Sequence, residues 1–259
     1  MFGVYINKMN CNIIIKSNSH YSYLWPIIND TTSHFNTVYL CVDNDLGFKF
    51  NKNIIIIKYD SNLSYPSRLV SILKNIDSDY ILLTHDVDII LNFNILLFNK
   101  YLNIVKDNNV DRLSFGVFVG NDIIEQDMLK ICKLEKNISV NFLTPYDYAP
   151  SIYNRIKILD FYENFNTESY KNLEHNELAQ SYIINNLNCY GIQKNENLKL
   201  IYHRGFVYTS DFNFLHITIS GNFMNEENYF DLINDFNNIK NKYNLNLNTQ
   251  NYNLSKQEI

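Results

Sequence analysis

The sequence predicts an α/β chain, a single domain with a mostly parallel central sheet sandwiched by helices. Two observations lead there. Short aliphatic runs recur in the first 120 residues, at 12–16, 38–42, 54–59 and 80–84, and segments with apolar residues at helical spacing fall between them. Strands interleaved with helices of roughly 10–15 residues build parallel sheets, because a parallel pair needs a crossover and a helix is the usual one. A third observation sets the layering. The runs are apolar throughout and do not alternate, as strands covered on both faces require.

In order, NIIIK (12–16) is a strand running into the polar cluster SNSH. Residues 21–35 carry Tyr21, Leu24, Trp25, Ile28 and Phe35, a spacing that predicts an amphipathic helix with Ser22 as its cap. VYLCV (38–42) is a strand ending at Asp43-Asn44-Asp45, and IIIIKY (54–59) is another. Residues 67–76 place Leu69, Ile72, Leu73 and Ile76 on one helical face, with Ser64 or Ser67 as cap. YILLT (80–84) is an apolar strand that ends in HDVD. A helix follows at 94–108 and a strand at 110–119. In the less regular second half, 173–187 is the clearest helix and 212–220 reads as a strand. With no internal repeat and no linker, the expected domain is 1–244, followed by a polar, mobile tail at 245–259.

Composition narrows the function classes. A net charge of −5 over 259 residues gives no electrostatic reason to expect nucleic acid or an anionic membrane as partner. The 7 glycines form neither G-x-G-x-x-G nor G-x-x-x-x-G-K-[ST], which argues against a Rossmann dinucleotide site and a Walker-type NTPase. Asn occurs 43 times and Lys outnumbers Arg 18 to 4, a bias of AT-rich coding, so Asn positions receive little weight. Cys11, Cys41, Cys132 and Cys189 form no C-x-x-C pair and read as buried free thiols in a reducing compartment. The first residues lack an apolar stretch of signal-peptide length, and no segment approaches the ~20 apolar residues of a membrane span. A soluble, cytoplasmic protein is the expectation.

Four groups of residues carry possible chemistry. Asp86-Val87-Asp88 follows the buried strand 80–84, and residues two apart on extended backbone share a face. Two carboxylates held close repel each other, and a divalent cation such as Mg²⁺ or Mn²⁺ is the usual relief; the plain alternative is a solvated loop. Tyr65-x-x-Arg68 stands just before the helix that leads into that strand, near the sheet edge above the acidic pair, where the Arg68 guanidinium suits a phosphate or a base, or simply a helix surface. His216, alone among apolar residues in LHITISGNF, is either a hydrogen-bonded core residue or a further metal ligand. Its neighbour in sequence, His203, falls in an expected loop beside Arg204 and Gly205. Glu174 and Glu177 share a face at a helix start, where they favour the helix dipole or serve as a general base.

This succession of Tyr65-x-x-Arg68-Leu69, YILLT with HDVD, an acidic helix start and a late His-Ile-Thr-Ile-Ser-Gly-Asn-Phe resembles the GT-A glycosyltransferases that use nucleotide-sugar donors. It looks most like the small stand-alone transferases of large DNA viruses and bacterial surface-glycan loci, which for a viral protein would mean the host cytoplasm. The resemblance implies a GT-A-like fold and a Mn²⁺ or Mg²⁺ cofactor. It implies a UDP- or GDP-sugar donor and a glycan or glycoprotein acceptor. Asp86 and Asp88 would match the family's metal and diphosphate site, with Asp88 the more direct ligand and His216 the late histidine. Ser17, Ser19 and Asp43 would lie where such enzymes hold the nucleoside, with Tyr65 and Arg68 also on the donor. The chain lacks the Lys-Pro-Trp of some retaining members and the Glu-Asp pair of many inverting ones. An inverting mechanism with Glu174 or Glu177 as base is favoured. Tyr146, Tyr148 and Tyr153, in the segment 141–156, are available either for stacking on an acceptor sugar or for ordinary packing. Two competing readings are a metal-dependent nucleotidyltransferase or phosphoesterase, and a non-catalytic glycan-binding protein. Against the nucleotidyltransferase, the loop after the first strand reads SNSH and lacks glycine.

Overall fold

The computed structural model describes residues 9, 11–86, 88–134, 150–164, 186–203, 206–216 and 237–244. From the N-terminus, β1 (Asn12–Lys16) leads through a 3₁₀ turn (Ser19–Leu24) into α1 (Trp25–Thr31) and β2 (Val38–Val42). β3 (Ile54–Lys58), α2 (Tyr65–Lys74) and β4 (Tyr80–His85) follow. Next come β5 (Asp88–Phe93), α3 (Ile95–Asp107), β6 (Arg112–Phe118), β7 (Ile123–Gln126) and β8 (Leu129–Lys133). The remaining elements are β9 (Ser151–Asn154), α4 (Arg155–Glu163), β10 (Cys189–Gln193), β11 (Leu200–His203), β12 (Phe206–Thr209) and β13 (Phe212–His216).

Among the described residues the strands form a nine-stranded sheet, ordered β3-β2-β1-β4-β9-β6-β10-β8-β7, and a four-stranded one, β11-β12-β13-β5. The fold is mixed α/β with a large central sheet flanked by helices. Its first four strands are parallel, as expected. Beyond them, β6 and β10 are parallel, but β9 runs antiparallel between β4 and β6, and β8 and β7 finish the sheet antiparallel. The smaller sheet is antiparallel throughout.

Strand alternation splits the core into two layers. Ile13 and Ile15 of β1 face a cluster with Leu24, Trp25, Phe98, Leu102, Phe115 and Phe214, drawn from α1, α3, β6 and the small sheet. Ile14 faces the opposite cluster, with Leu69, Ile72 and Leu73 of α2 and Ile158 of α4. The four cysteines are buried free thiols. Among the described residues no helix is long and apolar enough to cross a membrane.

Several elements differ from the sequence reading. Residues 21–35 do not form one helix capped by Ser22. Asn18 caps a 3₁₀ turn by accepting from the His20 N–H, and α1 begins at Trp25 with Pro26 in its first turn. Proline lacks an N–H and is tolerated there, where that donor would go unused. Ser64, one of the two expected caps, accepts from the Ser67 N–H and starts α2. The strand β5 was missed, because its aliphatic run is fused directly to the acidic motif. His203 stands at the end of β11 instead of in a loop. Tyr153 is core, with 2% of its surface exposed, because β9 packs it against α4 and β4. The helix expected at 173–187 lies outside the described residues except for its last two positions, as do 217–220, the tail 245–259, Tyr146 and Tyr148.

Candidate functional site

The chain builds β1, β2 and β3 outward in one direction, then returns through α2 to place β4 on the other side of β1. This reversal of strand order lies beyond the carboxyl ends of β1 and β4, the position where open α/β sheets form a ligand-binding crevice. The four parallel strands end together: Lys16 is in register with His85 and with Cys41, and Val42 with Lys58. The first residues past those ends are Ser17, Asp43, Tyr59 and Asp86.

Ser17 bonds directly to Asp86 and Tyr59, and Asp43 holds the loop that follows Ser17. The buried Ser17 hydroxyl donates to Asp86 Oδ2 at 2.6 Å and accepts from Trp25 Nε1 at 3.0 Å. Its carbonyl accepts from the Tyr59 hydroxyl at 2.5 Å, and its N–H donates to the Cys41 carbonyl at 2.8 Å. Asp43 accepts from the Ser19 N–H at 2.7 Å, the Ser19 hydroxyl at 3.0 Å and the Asn44 N–H at 2.9 Å. Asp86 also accepts from the Asn18 N–H, while its own N–H donates to the Lys16 carbonyl.

The electrostatics follow from this arrangement. Burial lifts the Asp86 carboxyl to about 6, against the bonds from Ser17 and Asn18 and the charge of Lys16, with the negative charge of Asp88 adding to the rise. Burial also works against the Asp43 carboxylate, but its bonds from Ser19 and Asn44 outweigh that and hold it below the usual carboxylate value. The Tyr59 phenol is pushed up to about 12 by burial and by Asp43, with the nearby Arg68 opposing.

Asp88 is buried and opens β5, so the acidic pair straddles the joint between the two sheets instead of lying along one strand as expected. Proximity still couples the two, since the charge of Asp88 raises Asp86. His216 is the residue in register with Asp88 across the β5–β13 pair. Directly opposed residues of an antiparallel pair have Cα atoms about 4.5–5.5 Å apart. By contrast, His203 is in register with Phe206, two strands away from β5. Tyr208 of β12 is fully buried and held well above its usual pKa, by burial first and then by Asp88.

On the α2 side of the crevice, cations alternate with rings. The Arg68 guanidinium lies 5.6 Å from the Tyr59 ring, and Lys16 Nζ sits 4.1 Å over the Tyr65 ring. Tyr65 and His85 lie parallel with centroids 6.5 Å apart. Sequence reasoning selected Tyr65 and Arg68 but missed Lys16, Trp25 and Tyr59. Their only signal is position, at or just past a strand end or at the start of the adjoining helix.

Among the described residues no three His, Cys, Asp or Glu side chains form a ready metal-binding cluster. The donor chemistry nonetheless fits a hard divalent cation. The charge of Asp88 opposes ionisation of Asp86, and paired carboxylate oxygens suit Mn²⁺ or Mg²⁺. Glu174 and Glu177 lie outside the described residues.

No family model matches the chain, and no curated protein matches its sequence. Among solved structures, the bifunctional IspDF of Campylobacter jejuni is similar over 73% of this chain and 50% of its own, at 14% identity and a TM-score of 0.43. S. aureus TarS 1-349 is similar over 78% of this chain and 60% of its own, at 14% identity and a TM-score of 0.44. A UDP-glucose pyrophosphorylase complexed with UDP-glucose is similar over 89% and 100%, at 6% identity and a TM-score of 0.49. The chain thus spans half the length of IspDF. At these identities no activity transfers from those proteins to this one.

Proposed function

We propose that the chain is a metal-assisted glycosyltransferase that takes a sugar from a nucleoside-diphosphate donor, UDP- or GDP-linked, and passes it to a glycan or glycoprotein hydroxyl. One observation carries the reading: Ser17, Asp43, Tyr59 and Asp86, each the first residue beyond a parallel strand, meet at the switch-point crevice with Asp88 beside them. In this reading Asp43 and Ser19 face the nucleoside, and Arg68 and Tyr65 line the phosphate side. In this reading Asp88 is the more direct metal ligand, Asp86 stands beside it, and His216 is in register with Asp88 across the β5–β13 pair. The cation held there would supply Lewis-acid neutralisation of the charge that builds on the departing diphosphate. The acceptor hydroxyl loses its proton to the carboxylate of Glu174 or Glu177 as its oxygen attacks the anomeric carbon on the face opposite the leaving group.

The loop after β1 favours glycosyl over nucleotidyl transfer. Its N–H groups are committed internally: Ser17 to the Cys41 carbonyl, Asn18 to Asp86, Ser19 to Asp43, His20 to the Asn18 side chain and Tyr21 to the Asn18 carbonyl. A loop with its donors spent in this way is a poor cradle for a triphosphate. The test is an assay of two reactions with Mn²⁺ present. Release of nucleoside diphosphate from UDP-, GDP- or CDP-sugars is expected. Release of pyrophosphate from a nucleoside triphosphate and a sugar phosphate, without the former, would overturn the assignment.

A further inference from the structure

Resting on the reading above, we infer that Ser17 and Trp25 are positioning residues, a two-step hydrogen-bond relay that fixes the Asp86 carboxylate at the crevice. The direction of the relay is set by chemistry. An indole N–H donates only, so the Ser17 oxygen must accept from Trp25 Nε1 and its single proton must go elsewhere. That proton goes to Asp86 Oδ2, 2.6 Å away, whereas Trp25 Nε1 lies 3.0 Å from the same hydroxyl oxygen. The Ser17 backbone is held by the Tyr59 hydroxyl and the Cys41 carbonyl, and Asp86 Oδ2 at 2.6 Å is a far shorter acceptor for its hydroxyl than the Asn18 carbonyl at 3.5 Å. Trp25 is fixed in turn, fully buried with Phe48 and Phe50 against its ring at 5.9 and 5.5 Å between centroids. Asp86 is therefore oriented by two buried side chains in series, Trp25 and Ser17. Neither Ser17 nor Trp25 needs to touch the donor.

The relay also contains the chain's single tryptophan. Any ligand that draws on Asp86 changes the hydrogen bond at the indole through one intervening oxygen, so Trp25 emission reports occupancy of the crevice. The experiment is calorimetric titration of Mg²⁺ with UDP, GDP and CDP in turn into the full chain. The tightest nucleotide is then carried to Ser17→Ala, Trp25→Phe and the double variant, with folding checked by circular dichroism. Trp25→Phe keeps a ring against Phe48 and Phe50 and removes the donor, at the cost of some buried volume. Expected are a shift of Trp25 emission on binding to the natural chain and a loss of affinity of about tenfold or more for Ser17→Ala. Trp25→Phe should lose less, and the double variant should lose no more than Ser17→Ala alone, because Trp25 acts only through Ser17. Independent roles would instead multiply the two losses, and that result would overturn the relay, as would nucleotide affinity unchanged in both single variants. If Ser17→Ala does not fold, the emission response decides: binding seen by calorimetry with unmoved Trp25 emission overturns it. Absence of any nucleotide binding by the natural chain would refute the functional reading, and the relay with it.

Discussion

The buried Asp86 makes a quantitative claim about stability against pH. Its carboxyl sits at about 6, raised by burial from the ordinary 3.8, so between those values the folded chain binds a proton that the unfolded chain releases. Stability from this group is present at low pH and is lost as pH rises through about 6. With these two values, lowering the pH from 7 to 5 should add about 1.3 kcal/mol. In a chain of this size that corresponds to a rise in Tm of roughly 3–5 °C. His34, held below its ordinary value by burial, works the other way over the same range. The clean comparison is therefore with Asp86→Asn, which removes the buried charge and keeps an oxygen for Ser17 to donate to. The variant should be the more stable protein at pH 7, with the gap closing by about 1.3 kcal/mol at pH 5. Urea unfolding of both proteins at each pH measures it. Parallel pH profiles for the two would refute the placement of Asp86 as a carboxyl whose burial outweighs its hydrogen bonds.

Three further outcomes are expected. His216→Ala should weaken metal-dependent nucleotide binding at least ~10-fold while His203→Ala leaves it unchanged, because only the former is in register with Asp88; the same titrations measure both. Glu174→Gln or Glu177→Gln should cut transfer at least ~100-fold with donor affinity nearly unchanged, measured by steady-state kinetics; near-natural turnover in both would point to a retaining mechanism. A Cβ at Gly191 would collide with the buried Phe118 ring, so Gly191→Ala should cost about 1–3 kcal/mol in a denaturant titration without altering nucleotide affinity.

Much of the fold was legible because burial and sequence period coincide in the first half. β1 and β2 match the strands read at 12–16 and 38–42 residue for residue, and α2 and α3 match to within a few. The acidic pair and Asp43 were visible as charges at strand ends, and Arg68 as one of only four arginines, near the start of α2. What stayed hidden has physical causes. β7 and β8 form a hairpin whose turn residues Asp127 and Met128 both have positive φ, with methionine where the Asp-Gly pattern of such turns has its glycine. Discounting asparagine was costly, because Asn18, Asn94 and Asn154 each cap a helical element with their side chains. The relay through Ser17 joins residues 8 and 69 positions apart, and no local pattern encodes a contact made only when two strands end side by side.

The account turns on whether the crevice at Asp88 takes a nucleoside diphosphate together with a divalent ion. Calorimetric titration of UDP, GDP and CDP into the natural chain and Asp88→Ala, with and without Mn²⁺, tests this most directly. The account predicts binding of at least one nucleotide that requires Mn²⁺, and loss of that binding in a folded Asp88→Ala protein. Binding of equal strength in the variant, or binding indifferent to Mn²⁺, would contradict it.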